Sequence, residues 1–287
     1  PNAYVFHNSM NSGLNSMGVG GVFHAKNSSV SYANNIAQNT SNGYAAYFEN
    51  GTITADYNIY SSNSTNLLIW RTISYANLAQ WKTATPYDDH SFQSFTNFLG
   101  AGTGNLHIFA DIEASNNGLS LNIGKDLDGE VRSSTPDIGA DEFDNPDNEA
   151  GAVKLMNTPT QVCSATLPLI AAVRNYGDMP MTSVTVNWSV NGVVQPVVNW
   201  TGSVLPGDSA FVTLSNFFFA PSSAYNFVVW TSLPNGQPDP VPSNDSYSSQ
   251  TIYTMMQGAY TVGGVSPDYP TISSCVAALI QRGVCGP

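Results

Sequence analysis

Slid on itself by 23 residues, the chain finds a match: Asn27-Ser28-Ser29-Val30-Ser31-Tyr32-Ala33-Asn34-Asn35-Ile36 lies over Asn50-Gly51-Thr52-Ile53-Thr54-Ala55-Asp56-Tyr57-Asn58-Ile59. Identities and close replacements fall at 27/50, 29/52, 30/53, 35/58 and 36/59, and a looser copy, Phe6-His7-Asn8-Ser9-Met10, places Asn8 27 residues before Asn35. Within each copy apolar residues alternate with polar ones and are then interrupted by Gly, Asn or Ser. A repeat constrains a fold strongly, because each copy must bury its apolar face against its neighbours. Short strands with polar corners, repeated every roughly 20–30 residues, predict coils of a parallel β-helix stacked at about 4.8 Å. The recurring asparagine then has a physical role, since its amide both donates and accepts and can form a ladder where the backbone turns. An antiparallel sandwich with look-alike hairpins is the alternative the same pattern allows.

Stacking also accounts for the charge. The chain carries 8 Lys and Arg and 20 Asp and Glu, a net charge of −12. Charged residues make up 10% of its 287 positions, where an ordinary soluble domain has about 25%. Like charges directly above one another repel, and 30 Asn and 33 Ser take over the polar work. A hydrophobic fraction of 42%, with 13 Phe, 14 Tyr and 5 Trp, excludes disorder. No apolar run approaches the roughly 20 residues of a membrane-spanning helix. Beyond Lys154 only Arg174 and Arg282 are basic, so neither nucleic acid nor an anionic bilayer is an expected partner. The stretch 67–104 breaks the rhythm with Trp70, Trp81, Phe92, Phe95 and Phe98. It reads as an excursion, helical near 78–81, that covers an otherwise open sheet edge.

The segment Asp126-Leu127-Asp128-Gly129-Glu130-Val131-Arg132 leads into Pro136-Asp137-Ile138-Gly139-Ala140-Asp141-Glu142-Phe143. It resembles the terminal signature of bacterial right-handed parallel β-helix domains, a D-x-D-G-x-x-R turn before P-D-I-G-A-x-E-[FY]. The resemblance implies that 1–146 are the C-terminal coils and cap of such a helix. It implies no activity.

After the turn-rich linker 144–148 the pattern changes. Val184, Val186, Trp188 and Val190 alternate, Asn191-Gly192 follows, and Val193-Val194 and Val197-Val198 come next; Asn-Gly between alternating runs predicts a hairpin. Further strands are expected at 153–156, 167–173, 210–214, 225–231 and 247–253. About seven strands over roughly 100 residues predict an immunoglobulin-like sandwich. Arg174-Asn175-Tyr176-Gly177, Trp188-Ser189-Val190-Asn191-Gly192 and Trp200-Thr201-Gly202 before Pro206-Gly207 resemble the CARDB-type modules of large secreted Bacteroidota proteins, over 151–254. In the tail, 255–287, Tyr260-Thr261-Val262-Gly263-Gly264 and Pro267-Asp268-Tyr269 resemble the opening of another β-helix. Ile272, Val276, Leu279 and Ile280 fit one face of its capping helix. The sequence opens at Pro1 without a signal peptide and stops at Pro287, which reads as a piece of a longer polypeptide. The whole resembles one period of a giant cell-surface or secreted adhesin of the gliding-motility type, exported by type IX secretion. Its implied partners are further copies of the same modules, surface glycans and the secretion or motility machinery.

Candidate chemistry is sparse. Asp126, Asp128, Glu130 and Asp137 stand at relative positions 1, 3, 5 and 12, as in an EF-hand-type loop for calcium. Yet glycine occupies position 4, Val131 position 6, and the twelfth residue is Asp; a solvated turn is the plainer reading. Tyr87-Asp88-Asp89-His90 is the densest carboxylate–imidazole run, His7, His24 and His107 are scattered, and Asp111 with Glu113 could share a face. Nothing in this spacing demands convergence on a cleft, so no catalytic residue is expected and the chain is read as a non-enzyme. A polysaccharide lyase-like enzyme is the alternative, although Lys26, Arg71, Lys82, Lys125 and Arg132 form no cluster in sequence. Tyr44, Tyr47, Tyr57 and Tyr60 could stack on sugars or pack the core. Asp208-Ser209-Ala210 matches the O-glycosylation acceptor pattern of the same bacterial group, making Ser209 a candidate. Of three cysteines, Cys275 and Cys285 bracket the tail helix and could pair in an exported protein, or remain buried thiols; Cys163 is the third.

Overall fold

A computed structural model describes residues 2–12, 21–156 and 158–286; Pro1 and Pro287, the ends of the segments read above, lie outside the described residues. Strand makes up 41% and helix 9%, so the all-β expectation holds. The chain divides into two compact units, 1–145 and 146–287, and the tail falls within the second.

The first unit contains β1 (Asn2–Phe6), β2 (Ser9–Ser12), β3 (Phe23–Ala25), β4 (Ser29–Ala33), β5 (Ile36–Asn39), β6 (Ala46–Phe48), β7 (Ile53–Asp56), β8 (Ile59–Ser62), β9 (Leu68–Trp70) and β10 (Ile73–Tyr75). α1 (Leu78–Ala84), β11 (Phe92–Gln93), β12 (Phe98–Gly100) and β13 (Asn105–Ile108) follow. The repeated segments pair in parallel. β1–β4–β7, β2–β5–β8–β11 and β3–β6–β9 form three ladders, with Val30 opposite Ile53, Ile36 opposite Ile59 and Phe23 opposite Ala46. Parallel pairing between copies is not what look-alike hairpins would give.

The corners carry the asparagine ladder. His7, Asn34 and Tyr57 have φ of 51°, 56° and 57°, a left-handed turn that Asn tolerates better than most residues. The next residue in each case is a ladder asparagine. Asn35 Oδ1 accepts from Asn8 N and Nδ2 at 3.1 and 2.9 Å. Asn58 Oδ1 accepts from Asn35 N and Nδ2 at 2.9 and 3.2 Å. On the last rung Asn58 N donates to Ser91 Oγ at 2.8 Å. A second column joins Asn50 Nδ2 to Asn27 Oδ1, at the surface.

Inside, Tyr32, Tyr60, Leu68 and Trp81 are fully buried. The excursion starts at α1, whose N-cap Asn77 accepts from Gln80 N. It places Trp81 among Phe48, Trp70, Tyr75 and Tyr87, then returns through β11 to add a rung opposite β8.

The second unit comprises β14 (Ala150–Met156), β15 (Gln161–Val162), β16 (Thr166–Asn175), β17 (Met181–Val190), β18 (Val193–Val194), β19 (Val198–Val204), β20 (Ser209–Phe218), β21 (Ala224–Tyr225), β22 (Phe227–Ser232), β23 (Ser246–Ser248), β24 (Ile252–Thr254) and α2 (Ile272–Arg282). An antiparallel β14–β16–β20 sheet and a sheet in which β17 pairs with β18, β19 and β22 share one core, which holds Leu169, Val186, Trp188, Val212 and Phe227. The predicted strand at 247–253 is two: β23 pairs with β22, whereas β24 joins β15 and β21.

The Asn191-Gly192 hairpin forms as expected, closing Val190 against Val193. Both turn residues have positive φ, 48° and 81°, the conformation that matches the twist of the flanking strands. A Cβ on Gly192 meets no neighbour within 4 Å, so Gly192→Ala is resisted by backbone strain alone. Its expected cost is about 1 kcal/mol by denaturant titration, and an unchanged midpoint would contradict this turn.

Candidate functional site

The terminal signature is built from contacts internal to the first unit. Asp137 is buried, with Oδ1 accepting from Asn116 N at 2.6 Å and Oδ2 from Phe143 N at 2.7 Å. Ile138 packs with Ile36, Ile59, Ile108 and Ala114. Gly139 has φ 114°, and a Cβ there would stand 2.8 Å from Ile36 Cδ1, so glycine is required. The Arg132 side chain, 3% exposed, pairs with Glu142 at 2.9 Å and donates to the carbonyls of Gly139 and Ala140. Burial pushes the Asp137 carboxyl up to about 7.

The four residues of the candidate calcium loop are not brought together. Asp126 Oδ1 accepts from the backbone N–H of Asp128 and Glu130, and its Oδ2 accepts from Glu142 N, which holds its carboxyl below the usual range. Glu130 is exposed and Asp137 faces inward. Asp128 is drawn instead to His107 Nε2 at 2.6 Å, in a group completed by Asp141. The physical reason is the glycine at position 4: Gly129, at φ 91°, closes a tight turn around Asp126 rather than an open ligand loop.

The 87–90 cluster splits as well. Asp88 is 1% exposed and accepts from Trp81 Nε1 at 2.8 Å, Ser91 Oγ at 2.6 Å, Asn58 Nδ2 at 3.1 Å and Tyr60 OH at 3.2 Å. It anchors the end of the ladder, and burial raises its pKa. His90 turns outward, with Nδ1 2.8 Å from Asp56 Oδ2 and its ring stacked on Tyr57. Asp111 Oδ1 accepts from Glu113 N and Ala114 N, a turn role, and burial pushes its carboxyl up to about 7. Tyr60 is core, Tyr47 stacks on His24, and Tyr44 is half-buried. Ser209 is exposed at the start of β20.

His7 is 8% exposed, with Nδ1 facing Gly139 O at 3.3 Å and Nε2 facing Asn34 Nδ2 at 2.8 Å. Both contacts suit a neutral ring. Burial, with the Arg132 charge added, lowers its pKa from 6.5 to about 4. A depressed histidine supports the fold fully above the unfolded pKa and loses that support as pH falls from 6.5 towards 4. Between pH 7.5 and pH 5 the wild type should lose about 2 kcal/mol relative to His7→Gln. Parallel pH profiles of the two proteins would exclude this.

The cysteine pairing differs from the expectation. Cys285 bonds Cys163, with Cα atoms 5.4 Å apart, and Cys275 is free. Cys275 lies in α2 and Cys285 beyond its end. From Cys275 to the helix end at Arg282 the rise is about 10 Å, against the roughly 7 Å a disulfide can bridge. Met256 N to Gly283 O and Cys285 N to Met256 O, 3.0 and 2.9 Å, bring Cys285 back to the sandwich.

Sequence reasoning missed a second acidic group. Glu149, Asp239 and Asp245 each offer a carboxylate oxygen within 4.8 Å of the others. Glu149, just before β14, is 1% exposed. Asp239 Oδ1 accepts from Val241 N and its Oδ2 from Ala150 N. Burial, and then the charge of Asp239, push Glu149 up to about 8 and Asp245 up to about 6. Glu149 stands about ninety positions before Asp239 and Asp245, and no periodicity connects them; acid amid the scarce charge of 146–254 was the available signal.

No protein-family model matches the chain, and no curated protein does. Among solved structures it is similar to a domain of a cell surface protein of Methanosarcina acetivorans at 21% identity, covering 39% of this chain and 96% of that one, TM-score 0.33. It is also similar to the CARDB domain of a Pyrococcus furiosus protein, in complex with di-metal ions, at 19% identity, covering 38% and 89%, TM-score 0.30. A solution structure of that domain gives 19% identity, 40% and 99% coverage, and TM-score 0.30. Among the described residues no helix is long and apolar enough to cross a membrane.

Proposed function

We propose that this chain is a non-enzymatic structural and adhesive segment of a very large secreted or cell-surface protein. In this reading 1–146 are the last coils and cap of a right-handed parallel β-helix, and 151–254 are a CARDB-type immunoglobulin-like module. Residues 255–287 open the next β-helix, within a type IX secreted, gliding-type adhesin of Bacteroidota. The observation that carries the reading is the parallel ladder with its column Asn8–Asn35–Asn58, in which polar side chains bond along the stack. Such an arrangement resists bending and can be extended by adding rungs. The exposed apolar residues Ile272, Val276, Leu279 and Ile280 on α2 suit a helix that later coils would cover. The disulfide favours an oxidising, extracellular compartment.

Two measurements test the proposal. The flanking coding sequence should contain further copies of the 126–143 and 258–287 signatures; a single isolated copy of each argues against an array. Purified protein should leave pectate and alginate intact, and release of unsaturated uronides would favour the lyase alternative instead.

A further inference from the structure

We propose that Glu149, Asp239 and Asp245 are the ligands of a calcium site at the entrance to the sandwich, independent of the adhesive reading. Three acidic side chains close together would not suffice, but Glu149 adds a second observation. It is almost wholly removed from solvent, and among the described residues neither Oε1 nor Oε2 has a hydrogen-bond partner of normal geometry. Among the described residues Asp245 Oδ1 and Asn244 Oδ1 are likewise buried without a donor, the Asp245 carboxyl lying against that of Asp239. The Asn244 amide flanks Glu149 closely enough to favour its charge. The Arg174 charge lowers the Glu149 pKa less than the neighbouring acids and burial raise it, and its guanidinium donates to Gly207 O at 2.9 Å and lies over the Tyr176 ring. A buried carboxylate with no donor is costly unless it takes up a proton or a cation meets it.

The donors are all oxygen, with no His or Cys, which selects a hard cation. Oxygens bound to one calcium at 2.3–2.6 Å lie up to about 5 Å apart, and the three here lie within 4.8 Å of one another. Calcium accepts irregular carboxylate sets, whereas magnesium demands near-octahedral geometry and gives up water reluctantly. Asp239 is held in place by Ala150 N and Val241 N, so its loop is preset. The ion would clamp the 239–245 loop to the start of β14. The other acidic group, His107–Asp128–Asp141, leaves no orphaned oxygen: Asp128 pairs with His107, and Asp141 accepts from Ile108 N.

The test uses the whole chain, stripped with chelator and titrated with calcium chloride by calorimetry and thermal melting. One calcium per chain should bind, raising the melting temperature of the second unit by about 5–10 °C at saturating ion, with magnesium at least tenfold weaker. Glu149→Gln should abolish the shift while Asp128→Asn retains it. Should Glu149→Gln fail to fold, Asp239→Asn supplies the same comparison, since its amide oxygen can still accept from the backbone. No binding by wild type at millimolar calcium overturns the site. So does binding that survives both ligand substitutions or is lost in Asp128→Asn.

Discussion

Asn35→Ala is expected to destabilise the first unit by about 4 kcal/mol. The side chain is fully buried and accepts from Asn8 N and Nδ2. It donates to Val5 O at 2.8 Å, Ala33 O at 2.9 Å and Asn58 Oδ1 at 3.2 Å. Alanine removes these bonds at once and strands backbone groups away from water, each worth about 1–3 kcal/mol. Partial relaxation brings the sum to the quoted figure. Asn50→Ala provides the control, because Asn50 is exposed and makes a ladder bond of similar length, 3.1 Å, to Asn27; its cost should stay within about 0.5 kcal/mol. Trp70 and Trp81 fluorescence during urea unfolding reports on this unit. Equal costs for the two variants would remove the ladder from any account of stability.

Reduction of Cys163–Cys285, or Cys285→Ser, should lower the stability of the second unit by up to about 5 kcal/mol. The bond closes a separation of 122 residues, and loop-closure entropy for that length sets the upper figure. Structure retained in the reduced chain will bring the measured value lower. Other contacts still hold the tail: Arg282 Nη1 donates to Ser223 O at 2.9 Å, and Gln281 Nε2 to Tyr253 OH at 2.7 Å. Cys275→Ser should leave the melting temperature where it is. The same loss from Cys275→Ser as from Cys285→Ser would refute the pairing.

What was legible in the sequence was periodic or local. The 23-residue repeat predicted the asparagine ladder at the corners, because stacking converts a recurring residue into a recurring neighbour. Asn191-Gly192 announced its hairpin, since few other pairs accept two positive φ values. Long-range features left little trace. The four acidic residues of the 126–137 reading are not brought together, because an acidic residue can spend its oxygens on its own turn, as Asp126 does. The cysteine reading weighed separation along the chain, whereas helical rise and a backbone bridge at Met256 decide the partner. Glu149, Asp239 and Asp245 meet only after the sandwich has formed.

The ladder also bears on how such a chain can lengthen over evolution. From Asn35 to its partner Asn58 the step is 23 residues, but from Asn58 to Ser91 it is 33, with α1 inserted between. The rung still closes at 2.8 Å. Insertions are therefore neutral between corners and ruinous at them, where one extra residue would carry an asparagine out of reach of its partner. Length variation among relatives of this chain should concentrate in the arcs, while the corner asparagines and the left-handed residues before them keep their relative phase.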